Sequence, residues 1–253
     1  MDLDFATGRF PNEGARPYAP IKATAWLQCG VISDSALPID AILYYQAHRD
    51  AYGAQVLTLS GDTGGGANHA PMLIQRVGLP YQGFRYADGM SLAAGVERIV
   101  RTRETAWYYA ASFAQWSDNV EGIDHWNKRF DASLADLVDF GGKRGRVIVE
   151  AGAYKAYHMP VFYRVTRTIT WYLVGDIDWV REMLSTATHI GKKPAQGWGQ
   201  VHRWDVQPWH ADWSVYGAHG QLMRAIPAEH GILTGIRPSY WVRRNQVICE
   251  VPQ

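Results

Sequence analysis

Residues 21–29, IKATAWLQC, alternate in character. Ala23, Ala25, Leu27 and Cys29 fall on one face, and Lys22, Thr24, Trp26 and Gln28 on the other, which predicts a strand. The next stretch, DSALPIDAILYYQAHRDAYG, changes period. Ile39, Leu43 and Ala47 share a helical face, with Ile42 beside them, and Pro38 suits a first turn. Asp34 or Ser35 is available as a cap, and Gly53 ends the helix. Residues 91–104 and 124–139 also read as helices, the second from Trp126, Phe130, Leu134 and Leu137. Residues 106–116 fit either period, and 60–70 (SGDTGGGANHA) form a loop.

The second half alternates again. Residues 147–157 and 161–174 are strand-like, joined at 158–160. Residues 176–188 predict a helix with Ile177, Val180, Leu184 and Ala187 on one side and Asp176 or Asp178 as cap; Gly191 stands at a C-cap position. Residues 198–206 return to strand, and 231–251 add one or two strands around Tyr240, Val242, Val247 and Ile248. Residues 1–20 show no period and read as an arm ahead of one domain over 21–253. With an insertion at about 53–145 set aside, the order is βαββαβ. That is an α+β, ferredoxin-like core of the kind found in RRM domains, with a large helical insertion and extra C-terminal strands.

Composition narrows the class. Hydrophobic residues are 47% of the 253 and charged residues 19%, which fits a folded chain. No apolar run nears the length of a membrane-spanning helix, and the acidic start MDLDFATGRF carries no secretory pattern. Cys29 and Cys249 are too few for a disulfide scaffold, so two thiols in a reducing cytoplasm are expected. The net charge of +1 hides an asymmetry. Residues 1–139 hold 11 Lys/Arg against 16 Asp/Glu, and residues 140–253 hold 14 against 8. A basic half, in a chain with 11 Trp and 14 Tyr, suits phosphate contact and base stacking. Those aromatics equally suit a core.

The densest chemistry lies at 189–201, HIGKKPAQGWGQV. Gly191, Gly197 and Gly199 permit positive φ and close approach. Exposed N–H groups in such a loop hold phosphate oxygens, Lys192 and Lys193 add charge, and Trp198 offers a ring. A tight helix-to-strand turn with solvated lysines would look the same.

A helix ending in H-I-G-K-K-x-x-Q-G-W-G resembles the glycine-rich signature of the RAMP superfamily of CRISPR-associated proteins, most nearly the Cas-five group subunit of type IV systems. Leu37-Pro38-Ile39-Asp40, His125-Trp126-Asn127-Lys128-Arg129-Phe130, Gly152-Ala153-Tyr154-Lys155-Ala156-Tyr157-His158 and Arg237-Pro238-Ser239-Tyr240-Trp241 fit the same family. The resemblance implies a non-catalytic subunit that caps the 5′ handle of a CRISPR RNA and contacts the repeated backbone subunit, in antiviral or anti-plasmid defence. A large subunit and target DNA are further candidate partners.

Carried onto this chain, the resemblance gives Gly191, Lys192, Lys193, Gln196, Gly197, Trp198 and Gly199 the task of cradling handle phosphates. Lys155, Tyr157 and His158 would form a thumb over the RNA. Lys128, Arg129, Lys143, Arg144 and Arg146 are further phosphate candidates, each equally at home on solvated surface.

Two rivals stand beside this reading. An endoribonuclease maturing precursor RNA would draw its acid and base from Lys155, Tyr157 and His158. A carbohydrate-binding module would use the Trp and Tyr without RNA. Asp62-Thr63-Gly64 lacks the apolar lead of an aspartic protease, Gly64-Gly65-Gly66 lacks the Lys-Ser/Thr of a P-loop, and the nine histidines show no metal-ligand spacing. No cofactor and no metal are expected.

Overall fold

The computed structural model describes residues 18–53, 79, 81–85, 105–117, 119–139, 141, 145–150 and 154–253. It mixes α and β, with two α-helices among the described residues and strands predominating. The main sheet has four strands: β1 (Ala19–Leu27), β4 (Gln115–Trp116), β7 (Thr168–Gly175) and β8 (Val201–Pro208), in the order β4-β7-β1-β8. Strand β1 lies between β7 and β8 and is antiparallel to both. Helices α1 (Ile39–Tyr52) and α2 (Ile177–Ser185) pack on one face of it.

Alternation explains this layering. Ile21, Ala23 and Ala25 of β1 and Ile169, Trp171 and Leu173 of β7 point into the core, where they meet Ile39, Leu43 and Ala47 of α1 and Val180 and Leu184 of α2. The core tryptophan is satisfied: Trp171 Nε1 donates to the Leu37 carbonyl at 2.8 Å. Asp176 caps α2, its carboxylate accepting from the N–H groups of Asp178 and Trp179.

A second core lies beneath a hairpin of β9 (Ile226–Gly235) and β10 (Gln246–Glu250). It holds Tyr108, Val215, Ala225, Ile236, Val247 and Cys249. A buried polar knot sits beside it. Arg224 donates to the carbonyls of Tyr109, Ala111 and Ile236 and lies 3.9 Å from Asp40. The Tyr240 hydroxyl donates to both Asp40 oxygens at 2.8 Å. Burial raises the Asp40 pKa against the opposing pull of the Arg224 cation, and it raises the Tyr240 hydroxyl well above its ordinary value. This knot ties α1 to the C-terminal extension.

Two further pairs complete the described strands: β2 (Tyr81–Arg85) with β3 (Thr105–Tyr109), and β5 (Asn119–Lys128) with β6 (Tyr157–Thr166). The second is a ten-pair antiparallel ribbon running from Asn119↔Thr166 to Lys128↔Tyr157.

Several expectations are corrected. The described part of the insertion is built from strands, not helices. Residues 124–139 are the end of β5 and a 3-10 turn (Ala132–Leu137) that Asp131 caps through the Ser133 N–H. The apparent helical stripe spanned a strand and a turn, which no single helix face joins. Residues 145–150 form no strand, and the second strand position of the sheet is filled by β4. Helix α1 has Pro38 at its N-cap without a side-chain cap; Asp34 pairs with Lys192 instead. Strand β1 begins at Ala19, inside the expected arm. The expected helix at 91–104 and the loop at 60–70 lie outside the described residues.

Candidate nucleic-acid interface

The glycine-rich loop runs from α2 to β8 and is folded by its own backbone. Gly191, Gly197 and Gly199 have φ of 78°, 86° and 72°, and Lys193 joins them at 64°. Two of the glycines are required by contact as well as by φ. A Cβ on Gly191 would lie 2.5 Å from the Ile32 carbonyl oxygen, and one on Gly199 would lie 1.8 Å from that of Ile190. Gly191 therefore does not cap α2, which ends at Ser185 with Thr186 as its C-cap; it lets the loop cross the 31–32 segment closely.

The loop consumes most of the N–H groups expected to face phosphate. Ile190 donates to Gly199, Lys192 to Ile32, Gln196 to Lys193, Gly197 to Pro194 and Gly199 to Gly30, all at 2.7–3.0 Å. Cys29 Sγ donates to the Gly197 carbonyl at 3.0 Å, which pins the loop from below. A ligand would thus meet mainly side chains here.

Those side chains meet the β5–β6 ribbon. In its register Trp126, Lys128, Tyr157 and Tyr163 share one face. Lys193 Nζ lies 2.9 Å from the centroid of the Trp126 ring. Trp126 contacts Tyr157 edge-on at 4.7 Å, and Lys128 Nζ lies 5.9 Å over Tyr157. Trp198 packs against Tyr163 at 5.0 Å, over Gly30. Half-buried, Trp198 serves as a hinge between loop and ribbon rather than as a free stacking face. The result is a row of two rings with a cation at each end: Lys193, Trp126, Tyr157, Lys128.

Lys192 stands apart, paired with Asp34 at 3.2 Å, and both are exposed. Gln196 is exposed on the loop's short 3-10 turn. His158 lies on the opposite ribbon face, stacked on His125 at 4.3 Å and 6° and in contact with Asn127 Oδ1. Tyr157 and His158, expected together on a thumb, thus point to opposite sides. Lys155, Arg129 and Arg146 are exposed, and among the described residues no hydrogen bond, ion pair or ring contact joins them to the loop. Lys143 and Arg144 lie outside the described residues. Sequence reasoning did not name Trp126 or Tyr163 as site residues; the signal was their place on paired alternating strands, hidden for Trp126 by the helical reading of 124–139. Among the described residues no group of three or more His, Cys, Asp or Glu side chains is placed to hold a metal ion.

The ribbon is also apolar. Ile123 and Phe162, paired directly across it, are 56% and 67% exposed, and Val120 is 70% exposed. A two-stranded ribbon is marginal alone, and exposed apolar patches of this kind are typical of interaction surfaces. Among the described residues no helix is long and apolar enough to cross a membrane.

A family model described as Csf3, a CRISPR type IV associated protein, matches residues 102–252, more than half of the chain. The matched span contains the whole ribbon and the whole glycine-rich loop. Comparison with curated proteins gives no match.

Proposed function

This chain belongs to the Csf3 family of type IV CRISPR-associated proteins, and from that premise we propose that it is a non-catalytic, RNA-binding RAMP subunit, of the Cas-five kind. It holds the 5′ handle of the CRISPR RNA and contacts the repeated backbone subunit in a cytoplasmic ribonucleoprotein. The strand order supports the ferredoxin-like core: counted along the chain, β1, β4, β7 and β8 stand in the order second, third, first, fourth, with a helix after the first and third.

The carrying observation is the row Lys193, Trp126, Tyr157, Lys128 where loop and ribbon meet. Cations over ring faces suit a strand whose phosphates and unstacked bases are both presented. The apolar ribbon face with Ile123 and Phe162 supports the contact with a backbone subunit.

RNA cleavage finds less support. Of the three candidate acid–base groups, His158 is stacked on His125 at 4.3 Å and lies on the ribbon face opposite to Tyr157, so the two do not converge on one phosphate. Purified complex incubated with precursor RNA tests this: products lost in His158→Ala would establish the nuclease.

The main reading is tested by expressing the chain with its partner subunits and a repeat–spacer RNA. Lys128→Ala/Lys193→Ala should reduce the RNA retained, with a shallower salt dependence than wild type. Equal retention at every salt concentration would rule out this row as the RNA site.

A further inference from the structure

We propose that the face of the main sheet turned away from the helices is a second RNA-binding platform, where unpaired bases stack on the exposed parts of Trp26, Tyr172 and Trp209 while Lys22 and Arg203 neutralise phosphates. This deepens the reading above and rests on it. The face is defined by register. Lys22 pairs with Tyr172 on one side and Gln207 on the other, Thr24 with Thr170 and Asp205, and Trp26 with Thr168 and Arg203. All point away from α1 and α2, because their neighbours Ile21, Ala23, Ala25, Ile169, Trp171 and Leu173 fill the core.

A sheet's outer face is ordinarily polar. This one carries large rings at both ends. Trp26, Tyr172, Trp209 and Trp213 are half-buried, and Arg203 is exposed. The chain leaving β8 turns over the sheet, held by Trp209 N–H to the Pro20 carbonyl at 2.8 Å. It sets Trp209 5.6 Å and Trp213 4.9 Å from Tyr172.

Each end also has its cation on a ring. Lys22 Nζ lies 4.8 Å over Trp209, and the Arg203 guanidinium lies 4.5 Å over Trp26. Among the described residues neither cation has a carboxylate partner. Asp205 stands between them and leaves both ends positive. From Lys22 to Trp26 is four residues, about 13 Å of strand, the length of about four stacked bases at ~3.4 Å each.

Charge and rings together select the occupant. An apolar protein surface would leave Lys22 and Arg203 uncompensated, whereas an RNA strand supplies phosphates for the cations and ring faces for the tryptophans.

The test uses the assembled complex carrying a repeat–spacer RNA substituted with 4-thiouridine. Irradiation followed by mass spectrometry should find crosslinked peptides from 18–28, 168–175 or 203–213. In parallel, Lys22→Glu/Arg203→Glu should weaken RNA binding by about tenfold, with the melting temperature of wild type. Crosslinks confined to 119–128, 157–166 and 190–200, with unchanged affinity of the double variant, would overturn the platform and leave the proposed function standing. A complex that assembles without any RNA would overturn both.

Discussion

The glycine-rich loop offers a paired substitution whose two members differ by geometry alone. At Gly197 an alanine inherits φ of 86°, and its Cβ meets nothing within 4 Å. The cost is the left-handed conformation, about 1–2 kcal/mol. At Gly199 the φ is 72°, but the Cβ would lie 1.8 Å from the Ile190 carbonyl oxygen. The loop must then move by more than an ångström. That movement stretches two hydrogen bonds, Ile190 N–H to the Gly199 carbonyl at 2.9 Å and Gly199 N–H to the Gly30 carbonyl at 2.8 Å. Each is worth about 1 kcal/mol net. Adding the conformational cost, Gly199→Ala should lose about 3–4 kcal/mol, roughly 2 more than Gly197→Ala. Equilibrium urea unfolding followed by tryptophan emission measures both. Equal losses, or a smaller loss for Gly199→Ala, would refute the view that this loop is held by its own backbone.

Two further outcomes follow from the buried groups. Tyr240→Phe removes the hydroxyl that donates to buried Asp40 and should cost about 1–3 kcal/mol, read from the urea midpoint; no shift would show that the knot contributes nothing. Burial pushes the Cys249 thiol from 9.0 up to about 12. Its folded value lies above its unfolded one, so its stabilising contribution is complete below about pH 9 and lost as pH rises towards about 12. The stability of wild type relative to Cys249→Ala should therefore fall across that window, and a difference independent of pH would refute the assignment.

Strand β1 and the two helices were legible because each spends one face on a single core. The Ile21–Ala25 alternation and the Ile39–Leu43–Ala47 stripe show this directly. The ribbon was not legible. Val120, Ile123, Phe162 and Val165 are apolar yet exposed, so its sequence lacks the in-out contrast that marks a strand. Trp126 and Phe130 then fell at helical spacing across the β5 terminus. The site was half legible. The loop's residue types announced a special backbone, but pattern could not tell that the N–H groups of Lys192, Gln196, Gly197 and Gly199 are already bonded to backbone carbonyls. Nor could it show that Lys192 is drawn aside by Asp34 while Lys193 crosses to Trp126. Asp40 carried no signal at all, since its partners Arg224 and Tyr240 are far away in sequence.

The central claim is that this subunit holds the 5′ end of the RNA through the loop and ribbon. Hydroxyl-radical footprinting of a 5′-labelled CRISPR RNA measures it most directly, in complexes carrying either wild-type subunit or Lys128→Ala/Lys193→Ala. The account predicts that wild type protects the handle and that the variant leaves the handle open to cleavage while spacer protection is unchanged. Handle protection identical in the two complexes would contradict it.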